Sequence, residues 1–351
     1  MGVSCPDSAR SARITFRFFI PFVLEGREPE QKSVDPMPSK ERKVLFSAIA
    51  LSMVALFWGT SFAVIKDIIT TIPPFTLMLL RFGLSTVLLA MLFGHRLKQV
   101  TRRHLLNSVI IGLLLAVAFI ALILGIKDTT ASKQSFLVGA CVIFVPFLAW
   151  ISSGRKPDRY AIGGALLAAS GIALLTLDRS FSMNKGDLLS ILCSIAVACH
   201  MVAIEKLGWD GDPIASTIIQ FAAASVCFFV LTGLFESYRF ELTPKLWKAL
   251  IYLVIVTTVI AFTVQNMSQK HLSATSTALL LTLETAFGGV FAVLYLHEHL
   301  TLKMLLGCLV IFAGILTEAT QWRFLHRTWA FSLRCAGRLG WPGRGIRRSQ
   351  V

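Results

Sequence analysis

The chain alternates long apolar runs with short polar segments that contain Lys, Arg, Pro and Gly. Each run is close to the roughly 20 residues that a helix needs to cross a hydrocarbon core of about 30 Å. The pattern predicts an all-α membrane protein with ten transmembrane helices. The predicted spans cover residues 44–65, 75–94, 105–126, 134–152, 160–177, 187–205, 214–235, 247–267, 275–296 and 302–320.

The two ends of the chain lack a run long enough to span a bilayer. Residues 1–43 are predicted to form a polar or disordered N-terminal tail, and residues 321–351 a basic C-terminal tail on the cytoplasmic side. Met37 is a second candidate start just before the first span. We therefore expect residues 1–36 to be an upstream extension or a disordered segment.

The overall composition favours a lipid environment. Hydrophobic residues make up 55% of the chain and charged residues 15%, a balance typical of helices that are apolar on all sides. The net charge of +15 does not predict nucleic-acid binding, because the basic residues lie between the apolar runs and at the two ends. The seven cysteines form no CxxC or Cys/His pattern, which predicts neither a disulfide framework nor a zinc site.

Lys and Arg residues are distributed unequally between alternate loops. If the N-terminus is cytoplasmic, the inner segments after residue 36 contain 19 of them and the outer segments contain 9. Cytoplasmic loops of membrane proteins carry an excess of Lys and Arg. We therefore expect both termini in the cytoplasm and the chain in the plasma membrane, which in bacteria is the inner membrane.

A weak internal repeat relates the two halves of the chain. Residues 131–174 align without gaps on residues 274–317, at an offset of 143, with eight identical pairs that include two pairs of glycines. Each half contains five spans, an odd number, so the halves must insert in opposite orientations, as in many secondary transporters. The predicted repeats are residues 44–177 and 178–320.

Two charged side chains lie inside predicted spans. Arg81 is in the second span, where a charge is costly unless it faces protein or water. It either snorkels or bonds a carbonyl group structurally, or it recognises an anionic group or acts as a gate. Glu284 is the most deeply placed acidic residue. It either takes up and releases a proton during transport or stays protonated and bonded to a helix backbone.

Six further polar or aromatic residues within the spans are candidates for substrate binding or gating. They are Trp58, Thr60, Ser61, His200, Gln265 and Asn266. A lone His in a helix bundle is often a packing residue, and Ser or Thr often bonds only its own backbone, so structural roles remain the alternative. The sequence predicts no metal site and no cofactor.

Several short motifs occur in order between residues 44 and 320. They are FWGTSF (57–62), LLRF (79–82), TTASKQSFL (129–137), GGALLAASGIALL (163–175), KGDLLSIL (185–192), QNMSQKHLSATSTALLLTLE (265–284) and LHEHLTLKMLLGCLVIFAGIL (296–316). Together they resemble the EamA-type transporters of the drug/metabolite transporter superfamily. This chain has Thr285 where that family usually has Pro, and His200 in a half-span where an aromatic residue is often found.

The resemblance implies ten helices in two inverted five-helix repeats around a central cavity that faces one side at a time. Substrates across that family are small metabolites, amino acids among them, and drugs, and they are often exported. We expect a secondary transporter that moves a small organic metabolite or drug-like solute by alternating access. Export and proton coupling through Glu284 are hypotheses within this prediction.

Other function classes lack their characteristic motifs. No nucleotide-binding loop is present, so transport would use a gradient. A membrane-embedded enzyme acting on a lipid or lipid-linked substrate is the alternative, but it would need paired catalytic groups such as two aspartates or HExxH. A channel or scaffold would need a pore motif or a soluble domain. The expected partners are a small-molecule solute, the lipid bilayer and protons, without nucleic acid, and the oligomeric state is left open.

Overall fold

Helices account for nearly all of the chain that the structure describes. This computed structural model describes residues 39–320 apart from residues 155, 157–158, 177–183, 209–210, 238–239 and 300. The first 38 residues of the predicted N-terminal tail and the whole predicted C-terminal tail lie outside the described residues. The first helix already begins at Ser39, within the segment predicted as a tail.

Ten helical segments and no strand occur within the described ranges. They are α1 (Ser39–Ile68), α2 (Pro74–Phe93), α3 (Arg102–Asp128), α4 (Ala131–Ser153), α5 (Arg159–Thr176), α6 (Lys185–Leu207), α7 (Pro213–Phe235), α8 (Pro244–Ser268), α9 (Ala274–Leu296) and α10 (Leu302–Thr320). Their ends lie within about five residues of the predicted span ends. A 3-10 turn, Gly94–Gln99, extends α2, and α8 contains a π-helical stretch, Tyr252–Ile260.

Eight of the described helices are long and apolar enough to cross a membrane. The other two, α5 and α10, contain shorter apolar stretches, Ile162–Gly171 and Leu305–Gly314. The predicted all-α membrane class is confirmed. Helices suit this environment because each satisfies its backbone hydrogen bonds internally.

The starts of the helices carry residues suited to a helix N-terminus. Proline is the first residue of α2, α7 and α8, where its missing N–H costs no helical hydrogen bond. The side chains of Thr130 and Ser273 accept backbone N–H groups at the starts of α4 and α9. Remote carboxylates bind the first N–H of the same two helices, Glu298 at 2.8 Å on α4 and Glu205 at 2.5 Å on α9. The fourth helix of each repeat, α4 or α9, thus has its first N–H bound by a carboxylate from elsewhere in the chain.

Helix packing mixes the two halves of the chain. Helix α1 packs against α9, α2 against α7, α3 against α6 and α7, and α5 against α10. A Cβ on Gly171 would lie 2.6 Å from the backbone nitrogen of Ile311, so α5 and α10 approach closely at this glycine. Large apolar side chains on the outside, such as Phe46 and Ile151, are more than two-thirds exposed, as expected of a surface that faces hydrocarbon.

Candidate functional site

Two helices, α4 and α9, are interrupted at equivalent positions of the two repeats. The first part of α4 ends at Gly139 and the second begins at Cys141, whereas the first part of α9 ends at Leu281 and the second begins at Leu283. The repeat offset of 143 carries position 140, the break in α4, to position 283, beside the break in α9. Interrupted helices at corresponding positions of inverted repeats are found around solute sites near the bilayer midplane.

Threonine side chains account for the break in α9. The hydroxyl of Thr282 donates to the carbonyl of Leu279 at 2.6 Å, and that of Thr285 donates to the carbonyl of Thr282 at 2.8 Å. The backbone N–H of Thr285 donates to the same carbonyl at 3.0 Å, three residues back, which tightens the turn. Such back-bonding bends helices. The regular hydrogen-bond pattern of α9 is therefore interrupted beside Glu284 without a proline at position 285.

The breaks in α4 and α9 lie against each other. A Cβ on Gly139 would overlap the methyl group of Thr285, so the two helices reach this separation only because residue 139 has no side chain. One turn further along α9, a Cβ on Gly288 would lie 2.5 Å from the Cβ of Ser135 in α4. The two interrupted helices therefore cross with their backbones close together.

A cavity of about 50 Å³ lies beside both breaks. Gly139 and Cys141 of α4 and Leu281 and Glu284 of α9 form part of its wall, and α1, α2, α3, α6 and α8 supply the rest. Both repeats thus contribute to one central space. The volume suffices for a few water molecules.

Six of the eight predicted site residues line this cavity. They are Trp58, Ser61, Arg81, His200, Gln265 and Glu284. The indole of Trp58 lies 4.8 Å from the ring of Phe262, centroid to centroid, and its Nε1 donates to the carbonyl of Thr257 at 2.9 Å. The cavity therefore combines an aromatic wall with several polar groups.

Arg81 is buried, with 1% of its surface exposed. Its Nε donates to the hydroxyl of Thr258 at 2.6 Å, and its Nη2 donates to the hydroxyl of Thr257 at 2.9 Å. Its Cζ lies 4.9 Å from the centroid of the Phe119 ring, a distance that allows cation–π attraction. Within the described part of the chain Arg81 forms no ion pair, and Nη1 has no hydrogen-bond partner.

The π-helical stretch of α8 explains how two consecutive threonines reach the same guanidinium. Successive residues of an α-helix point about 100° apart. In α8 the wider turn lets the hydroxyl of Thr258 donate to the carbonyl of Leu253, five residues back, at 2.7 Å. Thr257 bonds the same carbonyl at 2.9 Å, so both hydroxyl oxygens lie together and accept from Arg81. Short π-helical segments are frequent at functional sites.

Gln265 and Glu284 reach the cavity without partners among the described residues. Gln265 is 1% exposed, and neither its amide nitrogen nor its amide oxygen has a hydrogen-bond partner there. Glu284 is 8% exposed, and no hydrogen bond joins its carboxyl group to the described residues. His200 Nε2 lies 3.4 Å from Gln220 Oε1. Polar groups with unused hydrogen-bonding capacity therefore surround one small space.

The two halves of the chain match the same family model. The model of the EamA-like transporter family covers residues 45–177 and again residues 184–317. The chain belongs to the EamA-like transporter family. The resemblance carried by the sequence motifs is thereby confirmed, and each matched segment contains one of the interrupted helices.

Similar proteins agree with this assignment. An uncharacterized transporter of Archaeoglobus fulgidus is 26% identical over 278 residues, which are 78% of this chain and 86% of that protein. The uncharacterized transporter YoaV of Bacillus subtilis is 25% identical over 281 residues, 78% of this chain and 95% of that protein. A crystal structure with a TM-score of 0.61 and 15% identity covers 79% of this chain and 99% of its own, which shows a shared fold. The chain is a multi-pass membrane transporter of the drug/metabolite type.

Two predicted site residues of this EamA-like transporter are outside the cavity wall. The hydroxyl of Thr60 donates to the carbonyl of Phe57 at 2.8 Å and also pairs with the hydroxyl of Tyr252. The amide oxygen of Asn266 accepts from Gln220 Nε2 at 3.0 Å. Each is the chain neighbour of a residue that does line the cavity. Their role in binding or gating stays a prediction.

Several residues in and around the cavity wall were not predicted from the sequence. Cys141 lies in the cavity wall at the break of α4. In the internal repeat, at an offset of 143, it aligns with Glu284, and this alignment could have identified it as a candidate site residue. The threonines that hold Arg81 gave no such signal, because nothing in the local sequence indicates a π-helical turn. Within the described residues, no group of three or more His, Cys, Asp or Glu side chains could hold a metal ion.

Proposed function

We propose that this EamA-like transporter is a secondary carrier that moves small organic solutes, amino-acid-like ones included, across the bacterial plasma membrane by alternating access. The proposed direction of transport is export. Both termini are proposed to lie in the cytoplasm, in line with the excess of Lys and Arg in the inner segments. One observation carries the proposal. A central cavity lies where the interrupted helices of both repeats cross, and its lining includes polar atoms without partners among the described residues, namely Arg81 Nη1 and the amide group of Gln265.

The small volume of the cavity favours a carrier over an open passage. A space of about 50 Å³ holds a few water molecules, so an organic solute fits only after the surrounding helices move. The breaks in α4 and α9 are the natural hinges, because the backbone there already departs from regular helix. Movement about these hinges would widen the cavity towards one side of the membrane at a time.

Proton coupling through Glu284 extends the same proposal. Its carboxyl group is buried in the cavity wall and has no hydrogen-bond partner among the described residues. A carboxyl group that alternates between a dry and a wet environment takes up and releases a proton as the cavity opens and closes. Solute movement would then be driven by a proton gradient.

The membrane-embedded enzyme gains no support from the cavity. Glu284 is the single acidic side chain among the described residues that line it, so the paired carboxylates expected of such an enzyme are not brought together there. We therefore keep transport as the proposed activity.

The test is uptake and efflux of a mixed metabolite pool in proteoliposomes, with and without an imposed pH gradient. Glu284→Gln is compared with Glu241→Gln, a control on an exposed loop residue. We expect gradient-dependent movement of at least one solute by the wild type and the control, and its loss in Glu284→Gln. Transport that does not depend on the pH gradient and is unchanged in Glu284→Gln would still support a carrier, but it would contradict proton coupling through Glu284. No movement by a folded preparation would contradict the carrier.

A further inference from the structure

Arg81 is a buried cation without a counter-charge in the described part of the chain. Transferring a charged group from water into protein or lipid is unfavourable unless an opposite charge or good hydrogen bonds compensate. Two threonine hydroxyl oxygens and the face of Phe119 compensate in part, but none of them carries a negative charge. The local arrangement holds the guanidinium in place and leaves its charge unneutralised.

The hydrogen bonds of Arg81 also fix which of its atoms is available. Nε is bound to Thr258 and Nη2 to Thr257, on the side of the π-helical stretch of α8. Nη1 has no partner among the described residues, and Arg81 is part of the cavity wall. Gln265, in the same wall, offers an amide nitrogen that is also without a partner. Two sets of N–H donors, one of them charged, are therefore available on one wall.

We propose that Arg81 is the carboxylate-binding residue of the cavity and that the carrier selects solutes with one carboxylate group and a compact apolar body. This inference rests on the proposed function, in which the cavity receives the transported solute. The carboxylate accepts hydrogen bonds from Arg81 Nη1 and from Gln265, and its charge neutralises the guanidinium. The apolar body contacts the aromatic wall of Trp58, Phe119 and Phe262.

The charge of the cavity favours a carboxylate over a phosphate group. Among the described residues of the wall, Arg81 is the one side chain with a permanent positive charge, and Glu284 adds a carboxyl group to the same space. A phosphate monoester carries close to two negative charges near neutral pH. One guanidinium balances a carboxylate but leaves a phosphate with excess negative charge in a site of low dielectric constant.

Thr258 is a positioning residue in this arrangement. Its hydroxyl accepts from Nε while donating to the backbone of α8, which orients the guanidinium plane. Thr258→Val keeps the shape of the side chain but removes that acceptor. The guanidinium is then free to turn, so the preference for a carboxylate should weaken without being abolished.

Four compounds of matched shape test the inference: leucine, leucinamide, 3-methylbutylamine and 4-methylpentanoate. The first and last have a carboxylate, and the other two do not. Binding to the full chain in detergent is measured as the rise in unfolding temperature with compound concentration. We expect both carboxylates to act at concentrations at least tenfold lower than the amide and the amine, as expected for a charge-assisted hydrogen bond. The amide or amine acting as strongly as the acids, or no effect of any of the four, would overturn the inference.

Variants then assign the preference to Arg81. The ratio compared is that of the concentrations at which the amide and the acid raise the unfolding temperature equally. In Arg81→Gln this ratio should fall to about one. In Arg81→Lys part of the preference should remain, and in Thr258→Val the ratio should be intermediate. An undiminished ratio in Arg81→Gln would overturn the assignment, and if that variant does not fold, Arg81→Lys and Thr258→Val decide. Metabolite-pool transport on the same preparation separates the two proposals. Transport without carboxylate preference refutes this inference alone, whereas carboxylate-specific binding without transport refutes the carrier alone.

Discussion

Gly59 is the point where α1 and α9 come closest beside the cavity. A Cβ on Gly59 would lie 2.6 Å from the Cβ of Phe287 and 2.9 Å from both the carbonyl oxygen of Glu284 and the backbone nitrogen of Gly288. Ordinary contacts begin at 3.4 Å, so Gly59→Ala requires the two helices to separate by about 0.8 Å. Two of the three obstructing atoms belong to the backbone, which cannot turn aside as a flexible side chain would.

The expected cost follows from this overlap. Extra methyl groups in a packed interior destabilise proteins by about 1–3 kcal/mol, which corresponds to a fall in unfolding temperature of roughly 1–5 °C for a chain of this size. Alanine also favours helix over glycine by up to about 1 kcal/mol. Gly233→Ala measures that gain separately, because nothing lies within 4 Å of a Cβ at Gly233 in α7.

The assay is thermal unfolding of both variants and the wild type in the same detergent. We expect Gly59→Ala to unfold below the wild type and Gly233→Ala at or above it. Transport by Gly59→Ala should also fall, since the displaced backbone carries Glu284. If Gly59→Ala unfolds at the same temperature as Gly233→Ala or higher, α1 and α9 are not packed as closely as the structure has them.

Two further substitutions test contacts at the cavity and at a helix end. Trp58→Phe removes the hydrogen bond to the carbonyl of Thr257, and thermal unfolding should show a loss of about 1 kcal/mol; an unchanged unfolding temperature would argue against that contact. Burial raises the pKa of Asp212, but hydrogen bonds from Ala215 and Arg96 outweigh it and hold the pKa below its ordinary 3.8. The stabilisation that the Asp212 carboxylate provides is therefore complete above pH 3.8 and is lost only as the pH falls through the lowered pKa. Asp212→Asn should cost the same at about pH 7 and pH 8, and a cost that differs between them would contradict this.

The spans were predictable from the sequence because lipid imposes a length and an apolar composition on any helix that crosses it. The predicted span 214–235, for example, corresponds to Pro213–Phe235, and the proline and Asp212 that begin this helix are visible in the sequence. For α5 and α10 the apolar stretches are shorter, so the same criterion gives a weaker signal there.

Which face of a helix meets the cavity was less predictable. Ser61 and Gln265 line the cavity, whereas their chain neighbours Thr60 and Asn266 bond to other helices. Consecutive residues in a helix point about 100° apart, so both members of such a pair rarely face one small space. In helices that are apolar on all sides, the sequence lacks the polar stripe that would identify the inner face.

The special backbone of the site was hidden for a different reason. The break in α9 depends on hydrogen bonds of Thr282 and Thr285, and the two threonines bound to Arg81 depend on a π-helical turn. Threonine is found in regular helices as well, so its presence alone does not indicate either feature. Charged residues inside the spans predicted the site more reliably than threonines did, since Arg81 and Glu284 both lie in the cavity wall.

The cavity between the breaks of α4 and α9 is proposed to open to one side of the membrane at a time. Trans-stimulation tests this directly: uptake of a labelled solute, identified in the metabolite-pool assay, is compared between proteoliposomes loaded with the same unlabelled solute and empty ones. Alternating access predicts faster uptake into the loaded proteoliposomes, because the carrier returns with solute bound. Equal rates of uptake into loaded and empty proteoliposomes would contradict alternating access through this cavity.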